Sequence, residues 1–532
     1  MTGSNISEPN LKVNQLNSMT IETRDSQSKI STLDELAVQV RAEKEGGAKI
    51  VHCHGVFDLL HIGHIRHFDE AKKMGDILVV TLTPDHLVNK GPGRPVFTES
   101  LRAEAIAALN CVDHVAINKW STAVETINLL APDFYVKGSE YSENETDLTG
   151  GITQEENAVK SMGGQLAFTH DITFSSSNLI NNHMSVYPIE VTEYMQSLTG
   201  RYSSDKIVSY LDDCASMKIL VLGETIIDEY VYCATMGKSG KEPVLVTREL
   251  GSEKMAGGIV AVANHVTAIS DFVTMLTFLG QNDGQEDFIN EKLNPSVDAR
   301  YLYLAGGAPT ITKRRFVERY PFQKLFELYV MDEGESMQDN SEILQETLLK
   351  ILPDYDLVMV TDYGHGMISP ETVQLLCDKS KFLAVNTQVN AGNLGFNTVS
   401  KYPRADFVCV DENEIRLEAR SKNRDLREIV LDVSKAMDCE QIIVTMGPEG
   451  SLCYTREEGF VQVPAVAMSV VDRIGAGDTV FSVASICAAS GTPMEITGFL
   501  GNVAGAEAVA TVGNRSYLQR VPFIRHVQTL LK

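Results

Sequence analysis

The sequence predicts an α/β protein of two domains, and three observations carry that reading. Short apolar runs alternate with helical stretches along most of the chain, the pattern of parallel sheets flanked by helices. At 532 residues the chain is too long for a single hydrophobic core. Two glycine-bearing helix starts, one toward each end, place backbone N–H groups where an anionic ligand is favoured.

Residues 1–30 are polar, lack the basic start and apolar block of a signal peptide, and read as a tail. From Leu33 to about Ser185, "AKIVHCHGVF", "DILVVTLT" and "VDHVAIN" read as strands, separated by the helical "HIRHFDEAKKMG" and "TESLRAEAIAALN". This gives a first α/β domain over 31–185. The polar stretch 186–215 reads as a linker. A new strand, "MKILVLGETIIDEY", opens a second α/β domain over 216–532, with buried strands in "DLVMVTDYG", "FLAVNTQ", "DFVCVDENE" and "QIIVTMG".

Composition narrows the function classes. A formal charge of −25 argues against nucleic acid as a partner, because a phosphate backbone is held by concentrated Lys and Arg. Anionic small molecules need only a few basic residues in a cleft. No run approaches the roughly 20 apolar residues that span a bilayer, so no membrane partner is expected and the cytoplasm is the expected location. Nine cysteines without a CxxC pair read as reduced thiols rather than disulfides or a zinc site.

Five histidines fall within "VHCHGVFDLLHIGHIRHF". They could hold a metal, fill a core or handle a phosphate. A metal site needs further ligands, and no HExxH or Cys/His partner occurs nearby. A single histidine is by default a core residue. His61 and His64, however, are one helical turn apart just after a Gly55-Val56-Phe57-Asp58 turn, with Gly63 leaving room for close approach. A helix N-terminus carrying two imidazoles favours negative charge through its N–H groups, its dipole and its ring donors.

"GVFDLLHIGH" resembles the HxGH signature of the nucleotidyltransferase superfamily that includes cytidylyltransferases and the ADP-heptose synthase group. That resemblance implies a Rossmann-like domain with His61 and His64 as catalytic donors. It also implies Gly55, Phe57 and Gly63 at the nucleotide. In the same order, "KGPGRPVFTESLRAEAIAAL" is similar to the segment carrying a Lys, an Arg-Pro and a helical Arg, here Lys90 (catalytic), Arg94 and Arg102. "APDFYVKGSEY" is similar to a VKGxDY strand end, giving Lys137 and Gly138. "TFSSSNLI" stands in the place of the triphosphate-binding helix start, with Ser175, Ser176 and Ser177. The implied reaction is in-line attack of a sugar phosphate on the α-phosphate of an NTP, with donors stabilising the charge that builds there. "SENETDLTGGITQEENAVKSMGG" is longer than the family pattern predicts and reads as an insertion, either a flap or an interface.

Near the far end, "VVDRIGAGDTVFSVASICAA" places Gly475, Ala476, Gly477 and Asp478 at a helix start, where the Asp can take a proton from an acceptor hydroxyl. This stretch resembles the ribokinase-like (phosphofructokinase-B) sugar kinases. The resemblance implies Asp478 as the catalytic base with Gly475, Ala476 and Gly477 at the nucleotide. It implies Asp228, Gly257 and Gly258 at the sugar, and Thr445, Gly447 and Gly450 of "VTMGPEGSL" on the nucleotide side. "VYCATMGKSGKEPVLVTREL" looks like the small β lid that often forms a homodimer contact. "APTITKRRFV" is similar to a stretch of the heptose-phosphate kinases and gives Lys313 and Arg315 as substrate-binding residues. Glu414 matches the acidic residue near magnesium.

The acceptor end departs from the heptose-phosphate kinases. Ala261 replaces an Asn, His365 stands for the Lys of DYxKG, and Asn386-Thr387-Gln388 replaces DPK. The two halves joined resemble the bifunctional enzyme of ADP-heptose biosynthesis, but with the nucleotidyltransferase first. The expected function is a bifunctional enzyme of activated-sugar synthesis. It would transfer a nucleotidyl group, AMP from ATP, to a sugar 1-phosphate and phosphorylate a sugar or sugar phosphate. Magnesium is implied as cofactor, with potassium in the kinase half. One rival is a cytidylyltransferase for a polyol phosphate or lipid head group, against which "SSSNLI" lacks the R-T-E-G lead-in. The other makes the kinase-like half a sugar-binding module without turnover.

Overall fold

A computed structural model describes residues 26–138, 151–169, 187–281, 283–304, 307–332 and 340–532. Among them, residues up to 87 and from 97 to 169 form one compact unit, and residues 88–96 with those from 187 onward form the other.

The first unit is a five-stranded parallel sheet of β1 (Ile50–Gly55), β2 (Ile77–Leu82), β3 (His114–Ile117), β4 (Phe134–Gly138) and β5 (Gln165–Thr169), in the order β3-β2-β1-β4-β5. Helices cover both faces, so successive residues of a strand serve different cores. Val51 and Cys53 pack with Phe68, Leu78 and Val80, while Ile50 packs with Leu33, Leu36 and Val79 on the other side. This is why the strands read as near-continuous apolar runs rather than alternating ones. The helix Leu33–Glu45 begins on a capping box in which Thr32 Oγ1 accepts from the Glu35 amide at 3.3 Å and Glu35 Oε2 accepts from the Thr32 amide at 2.9 Å. Strand order reverses between β1 and β4, and ligands of open α/β sheets bind at such a switch point.

The expected insertion is in part ordinary fold. Its later half forms the helix Gly151–Ser161, whose Ala158 and Val159 are buried with Tyr135 and Ile127, and it is the crossover from β4 to β5. Residues 139–150 lie outside the described residues.

The second unit has a nine-stranded sheet. Its strands are β6 (Lys218–Gly223), β9 (Phe272–Gly280), β10 (Asp298–Leu304), β13 (Leu357–Asp362), β14 (Leu383–Thr387), β15 (Phe407–Asp411), β16 (Gln441–Thr445), β17 (Ser451–Thr455) and β18 (Gly459–Val463). The order is β10-β9-β6-β13-β14-β15-β16-β17-β18, parallel as far as β16 and antiparallel beyond. A separate four-stranded sheet, ordered β12-β11-β7-β8, is built from β7 (Thr225–Lys238), β8 (Leu245–Gly258), β11 (Ile311–Glu318) and β12 (Gln323–Val330). It is the expected small β lid. The helix Ala476–Ala489 is made of small and apolar residues and is buried from Thr479 to Ala488, as a helix packed on all sides must be.

The segment expected as a linker is corrected by the structure. Within 186–215 lie the helices Ile189–Arg201 and Ser204–Asp212, and their Val191, Met195, Leu198, Ile207, Val208 and Leu211 belong to the main core of the second unit. Val191, Met195 and Leu198 recur at i, i+4 and i+7, a one-faced stripe among polar neighbours, and Ser203 Oγ caps the second helix by accepting from the Lys206 amide at 3.2 Å. All nine cysteines are free, and no helix among the described residues is long and apolar enough to cross a membrane.

Leu198 is fully buried, so Leu198→Ala should lower the unfolding free energy by about 2–5 kcal/mol in urea denaturation followed by circular dichroism. A loss below about 0.5 kcal/mol, the range of surface substitutions, would return this segment to the status of a linker.

Candidate functional site

Each unit places a glycine-bearing helix start at the carboxyl edge of its parallel sheet. In the first unit β1 runs into the loop Val56–Leu60 and then the helix Ile62–Lys72, with His61 as its N-cap. His61 Nδ1 accepts from the Gly63 amide at 3.1 Å, which puts the ring proton of the neutral imidazole on Nε2. Burial lowers the pKa of His61, favouring that neutral form. The His61 and His64 rings stack at 3.8 Å and 22°. Phe57 holds a left-handed backbone, φ 48, of the kind that gathers at ligand-binding turns. Its ring meets His64 edge-on at 5.2 Å, and a Cβ on Gly55 would come within 3.0 Å of that ring. Gly55 is therefore the residue that lets Phe57 fold back and support His64.

The other three histidines of the run turn onto threonines, His52 buried and His54 and His67 half-buried. His52 Nε2 and His54 Nδ1 both bond Thr81 Oγ1, at 2.7 and 2.8 Å, and His67 Nδ1 bonds Thr169 Oγ1 at 2.9 Å. Burial lowers all three, His52 to about 3, His67 to about 4 and His54 well below the usual range, with the Lys137 charge adding to each.

Arg102 does not reach out to a nucleotide, and that expectation is corrected. It is 2% exposed, and its donors point inward. Nε donates to Phe97 O at 3.0 Å, Nη1 to Val56 O, and Nη2 to Thr83 O at 2.9 Å and Asp85 Oδ1 at 2.6 Å. It fixes the backbone of the turn that carries Phe57 and His61. Asp58, 2% exposed, accepts from the Phe97 amide at 3.4 Å. Lys137 ends β4 beside the switch point, its ammonium 3.0 Å from Glu155, so a facing phosphate would compete with an internal carboxylate. Lys90 and Arg94 lie in 88–96, which groups with the second unit. Ser175, Ser176 and Ser177 lie outside the described residues.

In the second unit Gly475, φ 85, caps the helix Ala476–Ala489. A Cβ on Gly475 would strike Asn514 Oδ1 at 2.2 Å, whereas one on Gly477 would meet nothing within 4 Å. Gly475 is thus required by packing, and Gly477 faces open space. The turn is held by Asp472, 3% exposed, which accepts from Ile474 N at 3.2 Å, Gly513 N at 3.1 Å and the Tyr230 hydroxyl at 2.7 Å, and pairs with Lys324 at 2.6 Å. Burial pushes Asp478 up to about 7, with the Asp228 charge adding to the rise and the nearby Tyr363 hydroxyl and the Lys313 charge opposing it.

Asp228 is buried and paired with Arg315, and Asn514 Nδ2 donates to it at 3.3 Å. A Cβ on Gly257 would lie 2.2 Å from Asp228 Oδ2, and Gly258 has φ 56, so the Gly-Gly pair is what allows β8 to pass this carboxylate. Ala261 is buried in the helix Ile259–Val266. Asn386 spends its amide on Cys409 O at 2.7 Å. Thr445 ends β16, Gly447 faces open space at φ 58, and Gly450 turns tightly against Val463 O.

Glu414, expected as a metal ligand, is a helix cap. Its oxygens accept from the amides of Val389 at 3.0 Å and Asp411 at 2.8 Å, and burial pushes it up to about 7. No group of three metal-ligating side chains occurs among the described residues. Sequence reading missed Asn514, Tyr363, Asp472 and the buried Glu224, which clamps the 363–365 turn through the amides of Tyr363 at 3.0 Å and His365 at 3.1 Å. Asp472, Tyr363 and Glu224 stand inside motifs that drew attention, but nothing in their spacing shows that they face inward.

Comparison with known proteins agrees with this division. Residues 216–520 match the model of the pfkB family carbohydrate kinases, and residues 52–182 match the cytidylyltransferase-like model. The bifunctional protein HldE of Citrifermentans bemidjiense is 38% identical over 167 residues, 31% of this chain and 33% of that protein. HldE of Koribacter versatilis is 27% identical over 314 residues, 58% of this chain and 63% of that protein. The chain thus spans about a third of the length of the first of these relatives and less than two thirds of the second. Ribokinase of Arabidopsis thaliana, solved with ribose and ATP, is 19% identical with a TM-score of 0.47 over 60% of this chain and 99% of that one.

If Arg102 holds the first turn from within, Arg102→Met should cost about 3 kcal/mol or more, because several buried carbonyls lose their donor at once. Fluorescence of Trp120, the only tryptophan and part of the first unit, reports the change in urea. An unchanged midpoint would contradict the assignment.

Proposed function

Because the chain belongs to the pfkB family of carbohydrate kinases and carries a cytidylyltransferase-like domain ahead of it, we propose that it is a bifunctional enzyme of activated-sugar synthesis. One unit joins the nucleotidyl group of an NTP, taken as ATP, to a sugar 1-phosphate. The other phosphorylates a sugar or sugar phosphate with ATP. The order of the halves is the reverse of that expected of the bifunctional ADP-heptose enzymes. The observation that carries the reading is the pair of helix starts, one with two stacked imidazoles and one with a carboxylate raised to about 7.

At the first helix start an oxygen of the sugar 1-phosphate attacks the α-phosphorus in line, and pyrophosphate leaves with its electron pair. No proton need move. Charge gathers on the α-phosphate oxygens, so the His61 Nε2–H, His64 and the N-terminal amides of Ile62–Lys72 other than that of Gly63, which His61 Nδ1 takes, supply the stabilisation. At the second, an acceptor hydroxyl gives its proton to the Asp478 carboxylate as its oxygen bonds the γ-phosphorus and ADP leaves. Amides at Gly475 and Gly477 serve the transferring group, that of Ala476 being given to Arg473 O at 3.4 Å. Asp228, with Arg315 and Asn514 fixing its oxygens, takes sugar hydroxyls. Magnesium is carried mainly by the NTP phosphates, as it commonly is, since Glu414 is engaged as a cap. Potassium accompanies the kinase half.

Homodimerisation through the lid is part of the proposal. Phe326, Leu328 and Val330 alternate along β12 and are 50%, 44% and 37% exposed, with Leu245 on β8 at 51%, which supports an apolar face with a like partner. The cytoplasm is the proposed location. A sugar-binding module without turnover is the second reading, favoured by the changes at Ala261, His365 and Asn386 and opposed by the raised Asp478.

His64→Ala should reduce pyrophosphate release by about 100-fold or more, the cost of one lost transition-state donor, while sugar phosphorylation persists. Asp478→Asn should abolish phosphorylation and spare nucleotidyl transfer. A carboxylate titrating near 7 is an active base only above that pH, so kcat/KM for phosphorylation should rise about tenfold per unit below 7 and level off above it. A profile flat from pH 5.5 to 8 would remove Asp478 as the base.

A further inference from the structure

The two oxygens of Asp472 divide their partners in the same way. Oδ1 accepts from the Ile474 amide at 3.2 Å and from the Lys324 ammonium at 2.6 Å, and Oδ2 accepts from the Gly513 amide at 3.1 Å and from the Tyr230 hydroxyl at 2.7 Å. Each oxygen thus joins one backbone amide of the loops around Gly475 to one donor of the small β sheet, Tyr230 from β7 and Lys324 from β12. Asp472 is 3% exposed, and Lys324 is the one cation paired with it among the described residues. Burial by itself raises a carboxyl, yet the contacts from Lys324 and Tyr230 outweigh it and hold Asp472 below the usual carboxylate range. A buried carboxylate stripped of its counter-charge is costly to keep ionised. The place of two amides beside Gly475 therefore depends on an ammonium carried by another sheet.

A second thread runs the same way. Asn514, next to Gly513, donates from Nδ2 to Asp228 of β7 at 3.3 Å, and a Cβ on Gly475 would lie 2.2 Å from Asn514 Oδ1. Gly513, φ 51, passes so close to the small sheet that a Cβ on it would come 2.9 Å from Met255 Sδ and 3.4 Å from the Tyr230 hydroxyl oxygen. The sheet that carries Asp228 and the turn that leads to Asp478 are thus fastened by one buried charge and one amide side chain. Lys324 belongs to none of the motifs that mark either site in the sequence.

Resting on the kinase reading above, we propose that Lys324 is a positioning residue for phosphoryl transfer, which through Asp472 sets the 472–477 turn and ties it to the sheet that holds the acceptor. With the ammonium in place, the Asp472 carboxylate stays ionised and fixes the Ile474 and Gly513 amides. Without it, the same carboxylate is a buried charge with no cation, and the turn shifts to bring it water or a proton.

Two measurements on the full chain test this. Hydrogen exchange read by mass spectrometry should show the peptides covering 472–478 and 511–516 exchanging about tenfold faster or more in Lys324→Met, as expected when a hydrogen bond to a charged group is lost, and within about threefold of the native chain in Lys324→Arg. Steady-state phosphorylation of ribose, fructose or fructose 6-phosphate, whichever the native chain turns over fastest, should show kcat lowered by about 100-fold in Lys324→Met with the KM for ATP within about threefold. That split is the mark of transition-state donors displaced by a change away from the chemistry, and Lys324→Arg should restore most of kcat. Should Lys324→Met melt below the native chain, Lys324→Gln, which keeps an N–H without the charge, is read in its place, with both effects in the same direction. Unchanged exchange at both peptides overturns the proposal. So does faster exchange with a native kcat, which would leave the ion pair a support of the fold alone. If the native chain phosphorylates none of these sugars while exchange follows the variants, the kinase reading fails and the dependence of the turn on Lys324 stands. If a sugar is phosphorylated and neither exchange nor kcat responds to the variants, the proposal fails and the kinase reading stands.

Discussion

A buried charged side chain that holds a glycine-bearing turn from beneath is the constraint on which both units depend. Arg102 does this in the first unit by donating to the carbonyls of Val56, Phe97 and Thr83. Asp472 does it in the second by accepting from the amides of Ile474 and Gly513 and the hydroxyl of Tyr230. An anion site made of backbone N–H groups works only if those groups already point at the ligand, because reorganising them during the reaction would consume the stabilisation they provide. The signs are opposite for a physical reason. The first turn leaves carbonyls facing inward and needs donors, and the second leaves amides and a phenol facing inward and needs an acceptor.

With the turns fixed, the difference between the units lies in protons. On the proposed reading an attacking phosphate oxygen carries its own charge, and the first helix start presents two stacked imidazoles. Its other histidines bond Thr81 and Thr169, and burial keeps them neutral. A sugar hydroxyl is a poor nucleophile until its proton is taken, and the proposal assigns that step to Asp478, whose surroundings raise it to about 7, where a base is most effective at neutral pH. Glu414 reaches a similar value with no such role, since two backbone amides occupy its oxygens. A shifted pKa therefore identifies a base only together with an open face such as that beside Gly477.

Much of this was legible in the sequence. The alternation of apolar runs and helices marks the parallel sheets, and the small-residue helix after Gly475 could be read as buried on all sides. The spacing of His61 and His64 separates them from the histidines of β1. What spacing does not carry is the direction of a side chain. Arg102 and Glu414 match positions that the family resemblance places at ligands, yet both are turned onto backbone groups a few ångströms away. The 186–215 stretch reads as a linker because charged residues dilute its apolar stripe, and only burial in the core that also holds Ile259 and Phe523 shows the helices to be part of it. Asn514 joins Asp228 to Gly475 across 286 residues of sequence, a pairing that no local pattern encodes.

The central claim, that one chain performs two different phosphorus chemistries, is tested most directly by ³¹P NMR of the intact protein with ATP, a sugar 1-phosphate and a free sugar. The account predicts two sets of products from one sample: pyrophosphate with a nucleotide-sugar diester from attack at the α-phosphorus, and ADP with a sugar phosphate from attack at the γ-phosphorus. ADP without pyrophosphate, or pyrophosphate without ADP, across a panel of nucleoside triphosphates and sugars would contradict it.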